Sequence, residues 1–535
     1  MNLIPKPQHF KKSDDFCNLS DLIFYHIDKE ISQSKDVIYS ILKLGLKRDL
    51  EEKKGCIDFL YNRKIPKEGY NLNIYKDGIR VEASDYVGAL YAAQSLRILG
   101  EFDLEEPVLE CCEIEDYPEY PWRGLLYDES RHFYGVNATK RLIDLMSLHK
   151  LNVLHWHLSD DQGWRIEIKK YPRLVEIGSK REQSQINGWR STDGDGIPVS
   201  GYYTQDEIRD IIEYAGQRGI MIIPEIDMPG HFGAALAAYN DLACRALDRP
   251  VPWYFGGNIP MRKGIFDWNR PACVSNPKTM EFIYDVIDEV CALFPAPYFH
   301  VGGDEAPMGE WKTCPSCQAL MKKKGFTNVK QLQCNFINEI KAYVEKKNKR
   351  LIGWNEALKG DNLDSNVIIQ YWTYMKDNNV SKHLKNGGEI ILSKHQNFYF
   401  DMPYSQYQLK NTFNFSIKGC GLDPAYRGQI KGVEGAMWTE WIPDVYKFDF
   451  HLFPRLEALA EVAWNANSKN YGEFLNRLAS FKPILKALKV NYAENSICDE
   501  MGFFKKCKYK SQWYHGNQNL ELEENKKVKI SKDDI

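Results

Sequence analysis

Asp304 and Glu305 are two adjacent carboxylates that directly follow Gly302-Gly303. Neighbouring acids repel, so one holds its proton to a higher pH than the other, and an acid–base pair needs that split. A solvated Asp-Glu at the start of a loop or helix is the ordinary alternative, since acids are common there. The pair has company, however. Acids, histidines and aromatics recur just after short apolar runs: His155, His157 and Asp160, then Glu225, Asp227 and His231, then Trp354 and Glu356. Trp372, Tyr399 with Asp401, and Trp438 with Glu440 continue the series.

The elements that must position these residues are the apolar runs themselves. Gly124–Tyr127, Asn152–His157, Ile220–Glu225, Tyr298–Val301, Arg350–Trp354, Val367–Trp372, Glu389–Ser393 and Val433–Trp438 read as buried strands. Segments long enough for a crossover helix separate most of them. This alternation predicts a (β/α)8 TIM barrel over residues 119–488, with the polar residues at the strands' C-terminal ends, where barrels carry their chemistry. Residues 1–118 predict a small α/β domain, an antiparallel sheet with a packed helix. Its signals are the strands around Tyr70 and Gly78, joined through Lys76-Asp77-Gly78, and apolar helical spacing from Tyr86 to Leu99 with Gly100 as C-cap. Pro118 and Pro121 punctuate the linker. Residues 489–535 depart from the barrel pattern and read as an appendage or tail. Arg249–Gly264, rich in Pro and Gly, reads as a loop over the barrel mouth.

The totals exclude several classes. The 535 residues are 43% hydrophobic and 27% charged, with a net charge of −3, so no basic field favours nucleic acid or an anionic membrane. No apolar run is long enough to span a bilayer, and the N-terminus lacks the apolar core of a signal peptide; a cytoplasmic protein, monomer or homodimer, is expected. The 13 cysteines show no disulfide-framework spacing, which suits free thiols. Cys314-Pro-Ser-Cys317 can be half a zinc site or a redox pair, but no second pair stands at zinc-knuckle spacing, so a local structural feature is the favoured reading.

Two chemistries compete for the barrel mouth. His155 and His157 share one face of a strand, and with His231 and Asp304 they could ligate zinc in a metal hydrolase. That reading leaves the tryptophans without a role. A glycosidase uses more of the residues, because it needs a protonated carboxyl near the leaving oxygen, a group that stabilises an oxocarbenium-like state, and apolar walls for the sugar.

His300-Val-Gly-Gly-Asp-Glu305 closely resembles the signature of glycoside hydrolase family 20, the β-N-acetylhexosaminidases. The resemblance extends through Trp122–His132, Leu151–Arg165, Pro224–His231, Ala436–Glu440 and Pro454–Trp464, and the first module looks like the family's N-terminal domain. It implies hydrolysis of terminal N-acetylglucosamine or N-acetylgalactosamine from amino-sugar glycans, with no cofactor and no metal. The substrate's own acetamido oxygen attacks, through an oxazolinium intermediate. Release of a disaccharide on the same fold is the alternative the resemblance leaves open.

By resemblance, Glu305 is the general acid and then base, and Asp304 orients and stabilises the acetamide. Arg123 grips the ring hydroxyls, a buried barrel-floor ion pair being its structural alternative. Asp160 and His231 tune the acid. Trp354, Trp372 and Trp438 wall the sugar, Tyr399 bonds the acetamide oxygen, and Asp401 and Glu440 reach outer hydroxyls.

Overall fold

A computed structural model describes residues 2–101, 108–189, 191–255 and 270–533. The first module is built on a seven-stranded sheet: β1 (His9–Asn18), β2 (Phe24–Ile27), β3 (Glu51–Glu52), β4 (Ile57–Tyr61), β5 (Tyr70–Tyr75), β6 (Gly78–Ala83) and β7 (Val108–Asp116). Their spatial order is β1-β7-β5-β6-β4-β2-β3. Strands β5 and β6 form the expected hairpin, with Tyr75 opposite Gly78. The sheet is mixed rather than antiparallel throughout: β4 runs parallel to both β6 and β2, because helix α1 (Lys35–Leu46) carries the chain across between β2 and the next strands.

Helix α2 (Tyr86–Glu101) packs against α1, and Gly100 lies inside it instead of capping it. A Cβ on Gly100 would stand 2.3 Å from the Gly45 carbonyl oxygen, so two glycines let these helices touch backbone to backbone.

The second module is a closed barrel of eight parallel strands. They are β8 (Trp122–Asp128), β9 (Val153–His157), β10 (Met221–Glu225), β11 (Tyr298–His300), β12 (Arg350–Trp354), β13 (Ile368–Tyr371), β14 (Ile390–Leu392) and β15 (Ile430–Met437). All eight coincide with the runs read from the sequence, within a few residues at their ends. Branched side chains Val153, Ile223, Ile352, Ile368 and Ile391 fill the barrel floor with Trp122, which makes that end a packed core and leaves chemistry to the other.

Beyond the helix Tyr471–Ala487, the chain forms the helices Phe503–His515 and Leu520–Asp533, which pack back on the barrel. Glu521, buried, accepts the backbone N–H groups of Tyr404 and Ser405 at 2.8 Å each. No helix among the described residues is long and apolar enough to cross a membrane. The Arg249–Gly264 loop falls partly outside the described residues, which resume at Arg270.

Candidate active site

Strand β11 ends at His300, and the chain then turns through Gly302 and Gly303 at φ +67° and +87°. A Cβ on Gly302 would stand 1.8 Å from Asp227 Oδ1, so only glycine lets the turn close over that carboxyl. The turn delivers Asp304 into the mouth with its side chain 13% exposed, while Glu305 keeps 59% exposure and a left-handed φ of +42°. His231, also left-handed at φ +47°, stands between them: its Nε2 lies 3.7 Å from Asp304 Oδ2 and 3.7 Å from Glu305 Oε2. Such conformations are uncommon for residues with a Cβ and cluster at functional sites.

A chain of ionised groups runs behind His231. Its Nδ1 meets Asp160 Oδ1 at 3.1 Å, and Asp160 Oδ2 receives Arg131 Nη2 at 2.7 Å and His157 Nε2 at 3.0 Å. A two-strand hairpin pairing Ser159 with Trp164 and Asp160 with Gly163 presents this aspartate. Burial works against Asp160's charge, but Arg131 and His231 outweigh it and hold the carboxyl well below its usual range. Burial likewise opposes charge on His231, and Asp160 reverses that, so the imidazole is strongly basic.

Below lies a second polar layer. Glu225 accepts from Trp354 Nε1 at 2.9 Å and contacts His157, His155 and His300, at 3.0 Å for the last. His155 also meets Glu434, which accepts from Gln370 and Trp122.

Trp354, Tyr399 and Trp438 form one apolar cluster with Leu126, Met402 and Ala436, and Trp372 packs on its side. Trp372 stacks on Tyr399 with centroids 5.7 Å apart and donates its indole N–H to Glu356 at 2.7 Å. Trp354 and Trp438 stand 5.9 Å apart, and Arg131 lies over the Trp438 ring at 5.0 Å. Glu440 lies 4.0 Å from Arg131. Burial pushes the carboxyl of Glu440 up to about 7, and burial with the charge of Glu440 raises Asp401 well above the carboxylate range. Asp304 Oδ1 and Asp401 Oδ1 are buried and have no hydrogen-bond partner among the described residues. Buried polar atoms are normally paired, so both acids are poised for a polar ligand in the aromatic box.

The full sequence matches the model of the glycosyl hydrolase family 20 catalytic domain over residues 120–467, and that of the family's domain 2 over residues 1–117. The chain belongs to glycosyl hydrolase family 20. A beta-hexosaminidase of Porphyromonas gingivalis is 33% identical to this family 20 chain over 522 residues, spanning 92% of it. The chain covers 64% of that relative's length. A beta-hexosaminidase of Vibrio furnissii is 30% identical across 86% of this chain and 76% of its own. The crystal structure of a family 20 exo beta-N-acetylglucosaminidase from Vibrio harveyi, in complex with N-acetylglucosamine, superposes with a TM-score of 0.81 at 32% identity, covering 92% of this chain and 78% of that one.

The fold gathers ten of the residues singled out from the sequence at one barrel mouth: Asp160, His231, Asp304, Glu305, Trp354, Trp372, Tyr399, Asp401, Trp438 and Glu440. Arg123 is the exception. It sits at the start of β8, fully buried, and donates to Glu68 Oε2 at 2.7 Å, the Tyr91 hydroxyl and the backbone oxygens of Lys150 and Tyr120. It joins the two domains at the barrel floor, at the opposite end of the strand from the mouth. The arginine at the mouth is Arg131, which follows the C-terminal end of the same strand; strand polarity alone marks it out.

The four proposed zinc ligands of the metal-hydrolase reading, His155, His157, His231 and Asp304, do not form one group among the described residues. His155 and His157 are instead spent on Glu434, Glu225 and Asp160. Glu225, which ends β10, and Asp227 and Glu356, which follow their strands, have no role in the resemblance, although each stands at a strand end in the same way.

Proposed function

We propose that this family 20 protein is a retaining exo-β-N-acetylhexosaminidase, which removes terminal N-acetylglucosamine or N-acetylgalactosamine from amino-sugar glycans by substrate-assisted catalysis, in the cytoplasm. The observation that carries this reading is the aromatic box beside Asp304, whose buried Oδ1 has no hydrogen-bond partner among the described residues and suits an acetamide N–H donor. The apolar walls take the acetamido methyl and the sugar face. Asp304 accepts the N–H and stabilises the positive charge that develops as the acetamido oxygen attacks the anomeric carbon. Tyr399 directs that oxygen. Glu305, at the solvent side, protonates the departing glycosidic oxygen and then takes a proton from the water that opens the oxazolinium ring. Arg131 takes the hydroxyl-gripping role, with Asp401 and Glu440 on the outer hydroxyls.

The free site is biased the wrong way for this chemistry. Burial pushes Asp304 up to about 7, whereas His231 pulls Glu305 below its ordinary value. Substrate corrects both. An acetamide N–H bonded to the Asp304 carboxylate stabilises its charge, and a leaving group laid over the exposed Glu305 removes water from it and favours its neutral form. Binding therefore moves the shared proton from Asp304 to Glu305, and His231 stands between the two oxygens. Hydrolysis of an aryl β-N-acetylglucosaminide beside the matching aryl β-glucoside, in wild type and Asp304→Asn, tests the reading. Cleavage of the acetamido sugar alone, lost in the variant, is expected; comparable cleavage of both sugars would remove the acetamide from the mechanism.

A further inference from the structure

In the segments that follow β10 and β11, Cys244, Cys273, Cys314 and Cys317 bring their four sulfurs within 4.8 Å of one another. Only the last two are close in sequence. Cys244 follows a short 3-10 turn (Asn240–Leu242), and Cys273 is laid beside it by an antiparallel bridge between Ala243 and Ala272. Cys314 caps the helix Pro315–Lys324 and Cys317 stands in its first turn. Strapping holds the two halves in place without the sulfurs: Trp311 donates its indole N–H to the Ala272 carbonyl at 3.0 Å, and Arg270 pairs with Glu310 at 2.7 and 3.0 Å.

We propose that these four cysteines form a structural zinc site. A tetrahedral tetrathiolate with Zn–S bonds of about 2.3 Å has sulfur–sulfur edges of about 3.8 Å. The sulfur of Cys317 lies 3.8 Å from that of Cys244 and 3.8 Å from that of Cys273. A disulfide has a bond near 2.05 Å and a single partner, whereas Cys317 stands equally far from two. All four residues are free thiols. Hydroxyl groups already address the sulfurs, Ser275 at 3.2 Å from Cys317 and Ser316 at 3.1 Å from Cys314, the kind of second layer that orients metal ligands. Two thiolates at a helix N-terminus add a favourable dipole. Four soft sulfur ligands with no position left for water select zinc and define a closed, non-catalytic site. Binding replaces four S–H protons by one Zn2+, leaves a doubly negative centre and releases the protons to solvent. Cys244, the one member that is not fully buried, marks the entry side.

The zinc would staple the segment between β10 and β11 to the loop after Glu305. Trp311, in that loop, already donates to the Ala272 carbonyl, and within the first segment the Ala272 N–H donates to the Pro229 carbonyl, two residues before His231.

Elemental analysis of protein made with zinc under reducing conditions should give about one zinc per chain, and cobalt(II) substitution should give the visible bands of a tetrahedral tetrathiolate. Cys317→Ser should abolish stoichiometric zinc and lower Tm, whereas Cys507→Ser, a change at an exposed thiol outside the cluster, should leave both as they are. If Cys317→Ser does not fold, the cobalt spectrum of the wild-type chain still decides. Substoichiometric metal in the wild type, an iron chromophore in place of zinc, or peptide masses that show disulfides among the four would each overturn the proposal.

Discussion

Arg123 and Arg131 stand at opposite ends of one stretch of chain, and the contrast between them separates what holds this protein together from what it does. Both are buried and both meet carboxylates. Arg123, at the start of β8, spends its donors on Glu68, Tyr91 and two carbonyl oxygens, and lies over the Trp464 ring at 5.1 Å. Four of its five N–H groups are taken up within the fold. Arg131 faces Asp128, Asp160, Gln162 and, at 4.0 Å, Glu440, beside the aromatic box. The same side chain is a bolt at one end of a barrel strand and an instrument at the other. A parallel barrel directs one set of strand ends into loops that can vary and the other into a packed floor.

The largest effects should come from the acids at the mouth. Asp304→Asn should lower kcat/KM for aryl and natural substrates alike by about 10²–10³-fold, the usual loss when a charge-stabilising group is removed. Glu305→Gln should cost about 10²–10⁴-fold on poor leaving groups and far less on activated aryl glycosides, which need little protonation. Equal, mild losses from the two would contradict their separate roles. Neither change should lower Tm appreciably.

Arg123→Met inverts that pattern. Breaking a buried ion pair costs about 3–5 kcal/mol, with a smaller value expected here because Glu68 keeps 15% side-chain exposure. Denaturant unfolding should register the loss while the KM of the folded fraction stays put; an altered KM with unchanged stability would return Arg123 to the sugar. Arg131→Met should weaken substrate handling by about 1.5–3 kcal/mol, the worth of hydrogen bonds from a charged donor, read as a roughly 10–100-fold drop in kcat/KM.

The finest distinction is in pH. The kcat/KM profile reports the free enzyme. The acid pair keeps a shared proton below about 7, the value to which Asp304 is pushed, and loses it above, so activity should fall as pH rises through about 7. The acid limb should lie below the ordinary glutamate value, because His231 pulls Glu305 down. Arg131 also pulls Glu305 down, so Arg131→Met should move the acid limb upward while Arg123→Met leaves it alone.

The barrel was legible because its strands are buried on both faces and write continuous apolar runs, with the chemistry at one end of each. The polarity of those strands also held the cue that distinguishes Arg131 from Arg123. What stayed hidden depends on contacts distant in sequence. The parallel half of the first sheet rests on short strands such as Glu51–Glu52, which carry no alternation. Gly100 looks like a helix terminus until α1 is laid against it. Cys314 and Cys317 lack partners at any motif spacing, because Cys244 and Cys273 arrive from the preceding barrel insertion. The tryptophans pointed to a binding wall by type alone, but only the fold shows Trp372 donating to Glu356 and Trp354 to Glu225.

Glu521 has a consequence for how such an enzyme can be cut or exchanged. The carboxylate reaches back to hold the backbone of Tyr404 and Ser405, in the loop that also carries Tyr399 and Asp401. A barrel excised at the family boundaries, residues 120–467, would forfeit that clamp at one end and the acceptor for Arg123 at the other. The catalytic module is therefore not a cassette: recombination that moves it between proteins must carry both flanks or supply substitutes for them.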